Sequence, residues 1–214
     1  MPDTDLLSLQ IEHVGILQSR YEQVLEHHGY DGLLISSGAA HVRYGDDQSW
    51  HFQGYGPFLH WTGLAGFEHA WLVIRRGQKP LLSLYQPVDF WHARLELGQE
   101  PWLKEFELRF SESPSAPALD GMNQLAVIGD PSLLTGVPGE HNPDALCAAF
   151  DETRVLKTAY EIACLAHANK LAMAGHRAAR DAFLAGASEF DINLAYQRAT
   201  QQREVDAPYP SIIG

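Results

Sequence analysis

The sequence has few cysteines and no long apolar run, and each absence excludes a class of protein. Its two cysteines, Cys147 and Cys164, lie in alanine-rich segments and cannot supply a disulfide framework. No apolar stretch approaches the roughly 20 residues that span a bilayer, and the start, MPDTDLLSLQ, lacks a basic and apolar leader. We therefore expect a soluble, cytoplasmic protein with no export signal and no membrane association.

Basic residues are also scarce. The chain has 15 Lys and Arg against 27 Asp and Glu, which gives a net charge of -12. Binding to nucleic-acid phosphates requires clustered Lys and Arg side chains, so we expect no nucleic-acid partner. Solubility is a sufficient explanation of the acidity.

Common catalytic motifs are missing as well. The sequence contains no HExxH, no G-x-S-x-G and no P-loop. Four histidines, His41, His51, His60 and His69, lie about ten residues apart, whereas compact zinc motifs place their ligands a few residues apart. Packing and hydrogen bonding are favoured over a metal site for these residues.

What remains is a pattern of interleaved helices and strands. Helical spacing of apolar residues predicts a helix from Leu6 to His28 that ends at Gly29. A turn at Arg76-Gly77-Gln78 between two apolar runs predicts a hairpin, and a long irregular loop is expected from Gly38 to His69. Because a hairpin accompanies the helices, we predict an α/β fold with a mixed sheet. Further elements are predicted as strands at 33–35, within 102–110 and at 125–128, and a helix at 144–150 with Asn142 as its N-cap.

Residues 153–214 form a second pattern, with a long amphipathic helix, a break at Gly186 and a second helix. Thr158-x-x-Glu161 and Ser188-x-x-Asp191 have the form of capping boxes. Helical spacing predicts one face of the long helix on a core, which includes Ile162, Leu165, Asn169, Met173, His176 and Phe183. The closing residues 211–213 are expected to begin a strand.

Several ordered motifs carry a resemblance to a known family. They are Tyr44-Gly45-Asp46-Asp47, the run Tyr85-x-Pro87-Val88-Asp89-Phe90-Trp91-His92, Arg154-x-x-Lys157-Thr158-x-x-Glu161, and Asp206-x-Pro208-Tyr209. Together they resemble the first half of bacterial Xaa-Pro dipeptidases (prolidases), which are pita-bread metallopeptidases. The resemblance implies a three-layer α/β/α creatinase/prolidase-like amino-terminal domain over 1–152. The first helices of an incomplete pita-bread α+β catalytic domain would follow over 153–214.

The resemblance also implies a cofactor and a reaction. Family members use two divalent metal ions, expected to be manganese, and cleave dipeptides with a carboxy-terminal proline as homodimers. The family's ligands, two Asp, one His and two Glu, all correspond to positions beyond Gly214. We therefore expect the amino-terminal part of a longer enzyme, which holds neither metal ligands nor catalytic residues and is inactive alone.

Two residues are candidates for substrate binding by the same resemblance. Asp47 aligns with an acid on a loop that reaches the neighbouring subunit's site, where a carboxylate can hold a substrate's protonated amine. The alternative is that Asp47 caps a turn. Tyr209 aligns with a tyrosine that lines the substrate pocket, and its alternative is packing under a proline-fixed turn. For Trp91-His92, burial is favoured over a place on the pocket rim.

Two other interpretations of the sequence remain open. The chain could be a non-catalytic α/β dimerisation or regulatory module. It could also belong to a related pita-bread hydrolase, such as an organophosphorus acid anhydrolase or a creatinase.

Overall fold

The computed structural model describes residues 3–90, 100–119, 121–207, 209 and 211–213. The chain divides into two compact units, the first ending at Thr158 and the second beginning at Ala159. The assignment of family domains to 1–152 and 153–214 stays a prediction. Among the described residues, none of the helices combines the length and apolar character needed to cross a membrane.

The first unit alternates helices and strands. Its elements are α1 (Asp3–His28), β1 (Gly32–Ser36), α2 (Gly56–Thr62), β2 (Trp71–Arg75), β3 (Leu81–Tyr85), β4 (Glu107–Ser111), β5 (Leu125–Ile128), β6 (Glu140–His141) and α3 (Asp144–Thr153). Short 3-10 turns lie at Pro101–Glu105 and Pro131–Leu133. The first helix, the strands at 33–35 and 125–128 and the hairpin are confirmed.

The six strands form one mixed sheet in the order β4-β3-β2-β1-β5-β6. Strand β2 is antiparallel to both β1 and β3, while β1 pairs with β5 in parallel, Leu33 opposite Ala126. The outer pairs β3–β4 and β5–β6 are also parallel. The predicted α/β class with a mixed sheet is confirmed, and the central position of β1 places its carboxyl end beside that of β5.

Successive side chains of a strand point to opposite faces of the sheet, and both faces of this sheet are buried. Leu33 and Ile35 join the larger core, where α1 contributes residues at helical spacing and Tyr21 stacks on Phe150 of α3 with ring centroids 4.3 Å apart. Leu34 points to the other face, which is covered by the segments around Leu119 and Leu134. The α1 residues in the core are Val14, Leu17, Tyr21 and Leu25.

Two local predictions need correction. The expected loop at 38–69 contains α2, a seven-residue helix with Pro57 in its first turn, which Gly63 ends in the left-handed region at φ 66°. Asn142 is not the N-cap of α3; it adopts φ 47°, and its side chain exchanges two 3.0 Å hydrogen bonds with the Gly129 backbone. Pro143 occupies the cap position. The strand expected within 102–110 is confirmed as β4, which begins at Glu107 after a 3-10 turn.

The second unit contains α4 (Ala159–Leu184) and α5 (Glu189–Thr200), followed by a 3-10 turn at Glu204–Asp206. The predicted break and cap are confirmed, since Gly186 has φ 78° and the Ser188 hydroxyl accepts a 3.2 Å hydrogen bond from the Asp191 amide. Thr158, the last residue of the first unit, has its hydroxyl oxygen 2.8 Å from His13 Nδ1, and its capping role stays a prediction.

The predicted buried face of α4 is wrong, since each of its six named residues is exposed. The chain packs α4 on α5 through Gly175 instead, which is buried against Tyr196 and Thr200. Asn169 is exposed and donates to the Leu165 carbonyl, and the exposed His176 meets Tyr196 edge to face. The exposed apolar members are Ile162, Leu165, Met173 and Phe183. Residues 211–213 show no regular structure, so the expected strand is absent from them.

Candidate functional site

A short hairpin, residues 41–50, leaves the first unit between β1 and α2. Val42 and Ser49 form a β-bridge, and two backbone bonds of 2.9 Å join the arms, Arg43 N–H to Gln48 O and Trp50 N–H to His41 O. We call this segment the 41–50 hairpin. Every residue in it is exposed, so its shape is set by its own hydrogen bonds and not by burial.

The two neighbouring acids at the tip of the 41–50 hairpin have different surroundings. The Asp46 carboxylate accepts from the amides of Asp47 at 2.7 Å and Gln48 at 3.1 Å, which is how an Asp side chain fixes a turn. The turn-capping role that was the alternative for Asp47 is therefore filled by Asp46. Asp47 itself lies on the exposed tip.

Large side chains on the 41–50 hairpin face solvent. Tyr44 is fully exposed and Trp50 is 62% exposed, with the Arg43 guanidinium 4.3 Å above the indole ring. Exposed aromatics grouped on a small projection are typical of surfaces that contact another molecule, because tyrosine and tryptophan offer large rigid areas for binding.

Two carboxylates, from segments next to β2 and β5, bond to the base of the 41–50 hairpin. His41 Nε2 donates to Asp130 Oδ2 at 2.7 Å, and the Ala40 amide donates to Glu68 Oε2 at 2.8 Å. Asp130 follows β5, so this contact lies where the carboxyl ends of the parallel strands β1 and β5 meet. A cleft of about 480 Å³ opens there, the position where open α/β sheets place their sites. Its lining includes Gly38, His41, Trp50, Phe52, Tyr55 and Asp130.

The charge of Asp130 is stabilised by its neighbours. The Ser132 hydroxyl at 2.7 Å and the Ser132 amide at 2.9 Å both donate to Oδ1, and with the His41 contact they hold the pKa of Asp130 below its ordinary value. The carboxylate is therefore ionised at neutral pH and accepts from the imidazole. The sequence analysis did not identify this pair, because His41 and Asp130 are far apart in the chain and no local motif links them.

The other histidines named from the sequence have separate surroundings. His69 contacts Tyr85 edge to face, with ring centroids 5.4 Å apart, and the His60 carbonyl accepts from His13 Nε2 at 2.8 Å. His51 is an exposed residue at the cleft. Trp91 and His92 lie outside the described residues. Tyr209, 71% exposed, belongs to the second unit and Asp47 to the first.

The described ranges also bear on metal binding. Within them, no group of three or more His, Cys, Asp and Glu side chains is arranged to hold an ion. A two-metal centre needs several carboxylates and usually a histidine that converge on one place. The described side chains do not fit such a centre, and no catalytic step through metal ions follows from them.

Comparison with known proteins gives the family. A family model described as "Xaa-Pro dipeptidase, N-terminal domain" matches residues 8–151. An Xaa-Pro dipeptidase of Marinobacter nauticus is 64% identical over 214 residues, which is 100% of this chain and 50% of the relative. One from Aeromonas hydrophila is 38% identical over 208 residues, covering 94% of this chain and 47% of the relative. The chain spans about half the length of the curated relatives it matches.

The fold has a counterpart among solved structures. Zn-substituted Escherichia coli aminopeptidase P in complex with product shares 17% sequence identity with a TM-score of 0.52, over 88% of this chain and 49% of that chain. A likeness at this identity concerns the fold alone. Because the family model matches residues 8–151 and the Marinobacter nauticus relative is 64% identical along the whole of this chain, this chain belongs to the Xaa-Pro dipeptidase family, whose amino-terminal domain it contains.

Proposed function

We propose that this chain is the amino-terminal half of a metal-dependent Xaa-Pro dipeptidase and that it helps to bind and orient the dipeptide. The observation that carries the proposal is the 64% identity along the whole chain to half of an Xaa-Pro dipeptidase. We assign the bond-breaking chemistry to the half of the relatives that this chain does not match, where the family resemblance puts the metal ligands.

The reaction explains why binding residues are needed outside the catalytic centre. The bond cleaved joins a carbonyl to a proline nitrogen, which has no N–H for an enzyme to recognise. Two divalent ions, with manganese as the expected metal, would supply an activated water when bound by the other half. A dipeptide presents a protonated amine at one end, and a carboxylate recognises that amine by a charge-assisted hydrogen bond.

Asp47 is the residue of this chain that we assign to the amine. It lies on an exposed tip whose turn is fixed by Asp46, and that tip is flanked by the exposed Tyr44 and Trp50. In the proposed homodimer, the 41–50 hairpin of one copy reaches the pocket of the other, with the aromatics contacting the second copy. Tyr209 is assigned to the pocket of its own copy, where a phenol offers an apolar face and a hydrogen-bonding tip.

A fusion tests the function directly. Residues 1–214 are joined to the half of the Marinobacter nauticus enzyme that this chain does not match, and the fusion, the natural relative and the chain alone are assayed with Xaa-Pro dipeptides and manganese. We expect turnover by the fusion and by the relative, and none by the chain alone. Metal-dependent turnover by the chain alone, or a folded fusion without activity, would contradict the proposal.

Substitution of Asp47 tests the residue assignment within the fusion. Asp47→Asn removes a charged hydrogen bond and should lower kcat/KM by about tenfold to hundredfold, mainly through KM. Asp46→Asn is the matched control, because it removes the same charge one residue away while its amide oxygen can still accept the two turn bonds. Equal effects of the two substitutions would show that Asp47 has no specific role.

A further inference from the structure

We propose that His41, Asp130 and Glu68 are positioning residues that fix the direction of the 41–50 hairpin and, through it, the place of Asp47. The part that concerns Asp47 rests on the proposed function. The anchoring itself rests only on the contacts of the first unit.

The need for anchoring follows from the length of the hairpin. Its own bonds, from Arg43 to Gln48 and from Trp50 to His41, set its shape but not its direction relative to the sheet. Five extended residues from base to tip span about 16 Å, so a rotation of about 10° at the base moves the tip by about 3 Å. Displacements of about 1 Å are already large for a group that must meet a substrate. The contacts at the base therefore decide where Asp47 can act.

Two carboxylates bond to that base at the adjacent residues Ala40 and His41. Asp130 accepts from the His41 side chain at 2.7 Å, and Glu68 accepts from the Ala40 amide at 2.8 Å. Backbone bonds from Tyr55 to Ser37 and from His69 to Gly38 act two to three residues further back along the chain. The carboxylates are thus the contacts nearest to the point where the 41–50 hairpin begins.

Asp130 is suited to this role because it is itself fixed. It follows β5, a strand inside the sheet, and Ser132 donates to its Oδ1 through both the amide and the hydroxyl. Oδ2 is bonded to His41. A side chain that is already ordered loses little conformational freedom when it binds, so the contact transmits the rigidity of the sheet to the hairpin.

The geometry argues against a catalytic triad made of the same residue types. In a Ser-His-Asp triad the histidine lies between the serine and the carboxylate, and it takes the serine proton. Here Ser132 and His41 both donate to Asp130, so the carboxylate lies in the middle. His41 is not placed to activate Ser132, which leaves positioning as the role that the contacts support.

Amide hydrogen exchange in the 214-residue chain tests the anchoring without any catalysis. In His41→Ala, the amide of Ala40, which donates to Glu68 at the base, should exchange about tenfold faster, because the base opens more often once the His41 contact is lost. In His41→Gln, whose Nε2 can still donate to Asp130, the rates should return toward those of the unsubstituted chain. Unchanged exchange in His41→Ala would overturn the proposal.

A double-substitution cycle in the fusion tests whether the anchor acts through Asp47. His41→Ala should raise KM for an Xaa-Pro dipeptide several-fold with a smaller effect on kcat, and His41→Gln should restore KM. In the Asp47→Asn background, His41→Ala should add nothing. Additive effects would overturn the link to Asp47, and a fusion without activity would refute the proposed function while the exchange rates alone decide the anchoring.

Discussion

Gly15 and Gly175 each lie in a 26-residue helix, yet their surroundings differ. A Cβ built on Gly15 in α1 meets nothing within 4 Å. One built on Gly175 in α4 would lie 2.6 Å from Tyr196 Cε2 and 2.7 Å from Thr200 Cγ2. The missing side chain at Gly175 is what lets α5 approach α4.

Alanine at these two positions should therefore have opposite effects. Gly175→Ala forces α4 and α5 apart and should lower the free energy of unfolding by about 1–3 kcal/mol. Gly15→Ala adds a methyl group in open space and should raise it by about 0.5–1 kcal/mol, since alanine loses less backbone entropy in a helix. Urea unfolding followed by circular dichroism measures both. Equal shifts in the two variants would contradict the close packing at Gly175.

The buried Tyr21 gives a prediction at alkaline pH. Burial in the core raises its pKa from 10.0 to about 12, so the folded chain keeps a proton that the unfolded chain releases. This contribution to stability is complete below pH 10 and is lost as the pH rises through 12. Between these values the unsubstituted chain should lose about 1–3 kcal/mol more unfolding free energy than Tyr21→Phe. Because the other tyrosines are common to both chains, parallel pH profiles would contradict the prediction.

Among the elements, α1 supports the end of α3 through one side chain. Arg20 Nη1 donates to the carbonyls of Thr153 at 2.9 Å and Leu156 at 3.0 Å. Carbonyls at a helix end have no partner within the helix, and a cation there also interacts well with the helix dipole. Arg20 therefore fixes the segment that leads from the first unit to α4.

Removal of Arg20 should destabilise the first unit. Arg20→Ala removes two hydrogen bonds from a charged donor and should cost about 1–3 kcal/mol of unfolding free energy. Arg180→Ala is the control, since Arg180 forms an exposed ion pair with its neighbour Asp181 and its loss should change stability by less than about 0.5 kcal/mol. Thermal unfolding measures the stability of both variants. A loss of stability in Arg20→Ala no larger than in Arg180→Ala would contradict the stabilising role of the two Arg20 hydrogen bonds.

Local pattern predicted most elements, and contacts between distant residues account for the rest. Helix α1, β1, the β2–β3 hairpin, β5 and the α4–Gly186–α5 sequence carry their own periodicity or turn residues. Strand β6 is two residues long and exists because Glu140 pairs with Ala126, which no local pattern shows. The His41–Asp130 pair joins residues 89 positions apart. Asp47 is a candidate only through the family resemblance, since its neighbour Asp46 is the same residue type, and its role stays a prediction.

On the scale of the whole molecule, the second unit exposes much apolar surface. Exposed large side chains on its two helices are Ile162, Leu165, Met173, Phe183, Leu184 and Phe190. Contiguous exposed apolar patches mark surfaces that another chain or segment covers. We propose that this surface is covered by a segment equivalent to the half of the relatives that this chain does not match.

Dye binding tests that proposal. The chain alone should increase the fluorescence of an anilinonaphthalene sulfonate dye several-fold more than the fusion with the Marinobacter nauticus half, because the fusion covers the apolar side chains. Leu165→Glu in the chain alone should reduce the signal, whereas Val42→Glu on the 41–50 hairpin should leave most of it. Equal fluorescence of the chain and the fusion would contradict the proposed cover.

The two edge strands of the sheet limit how two copies of this chain could associate. One edge strand is β4, where Glu107 and Arg109 are charged and exposed, and the other is β6, which is only two residues long. Charged or very short edge strands hinder a foreign strand from extending the hydrogen-bond ladder, and this protects against fibre formation. These edge strands therefore disfavour the merging of two sheets into one, and the homodimer proposed above would be built from side-chain contacts such as those of the exposed tyrosine and tryptophan.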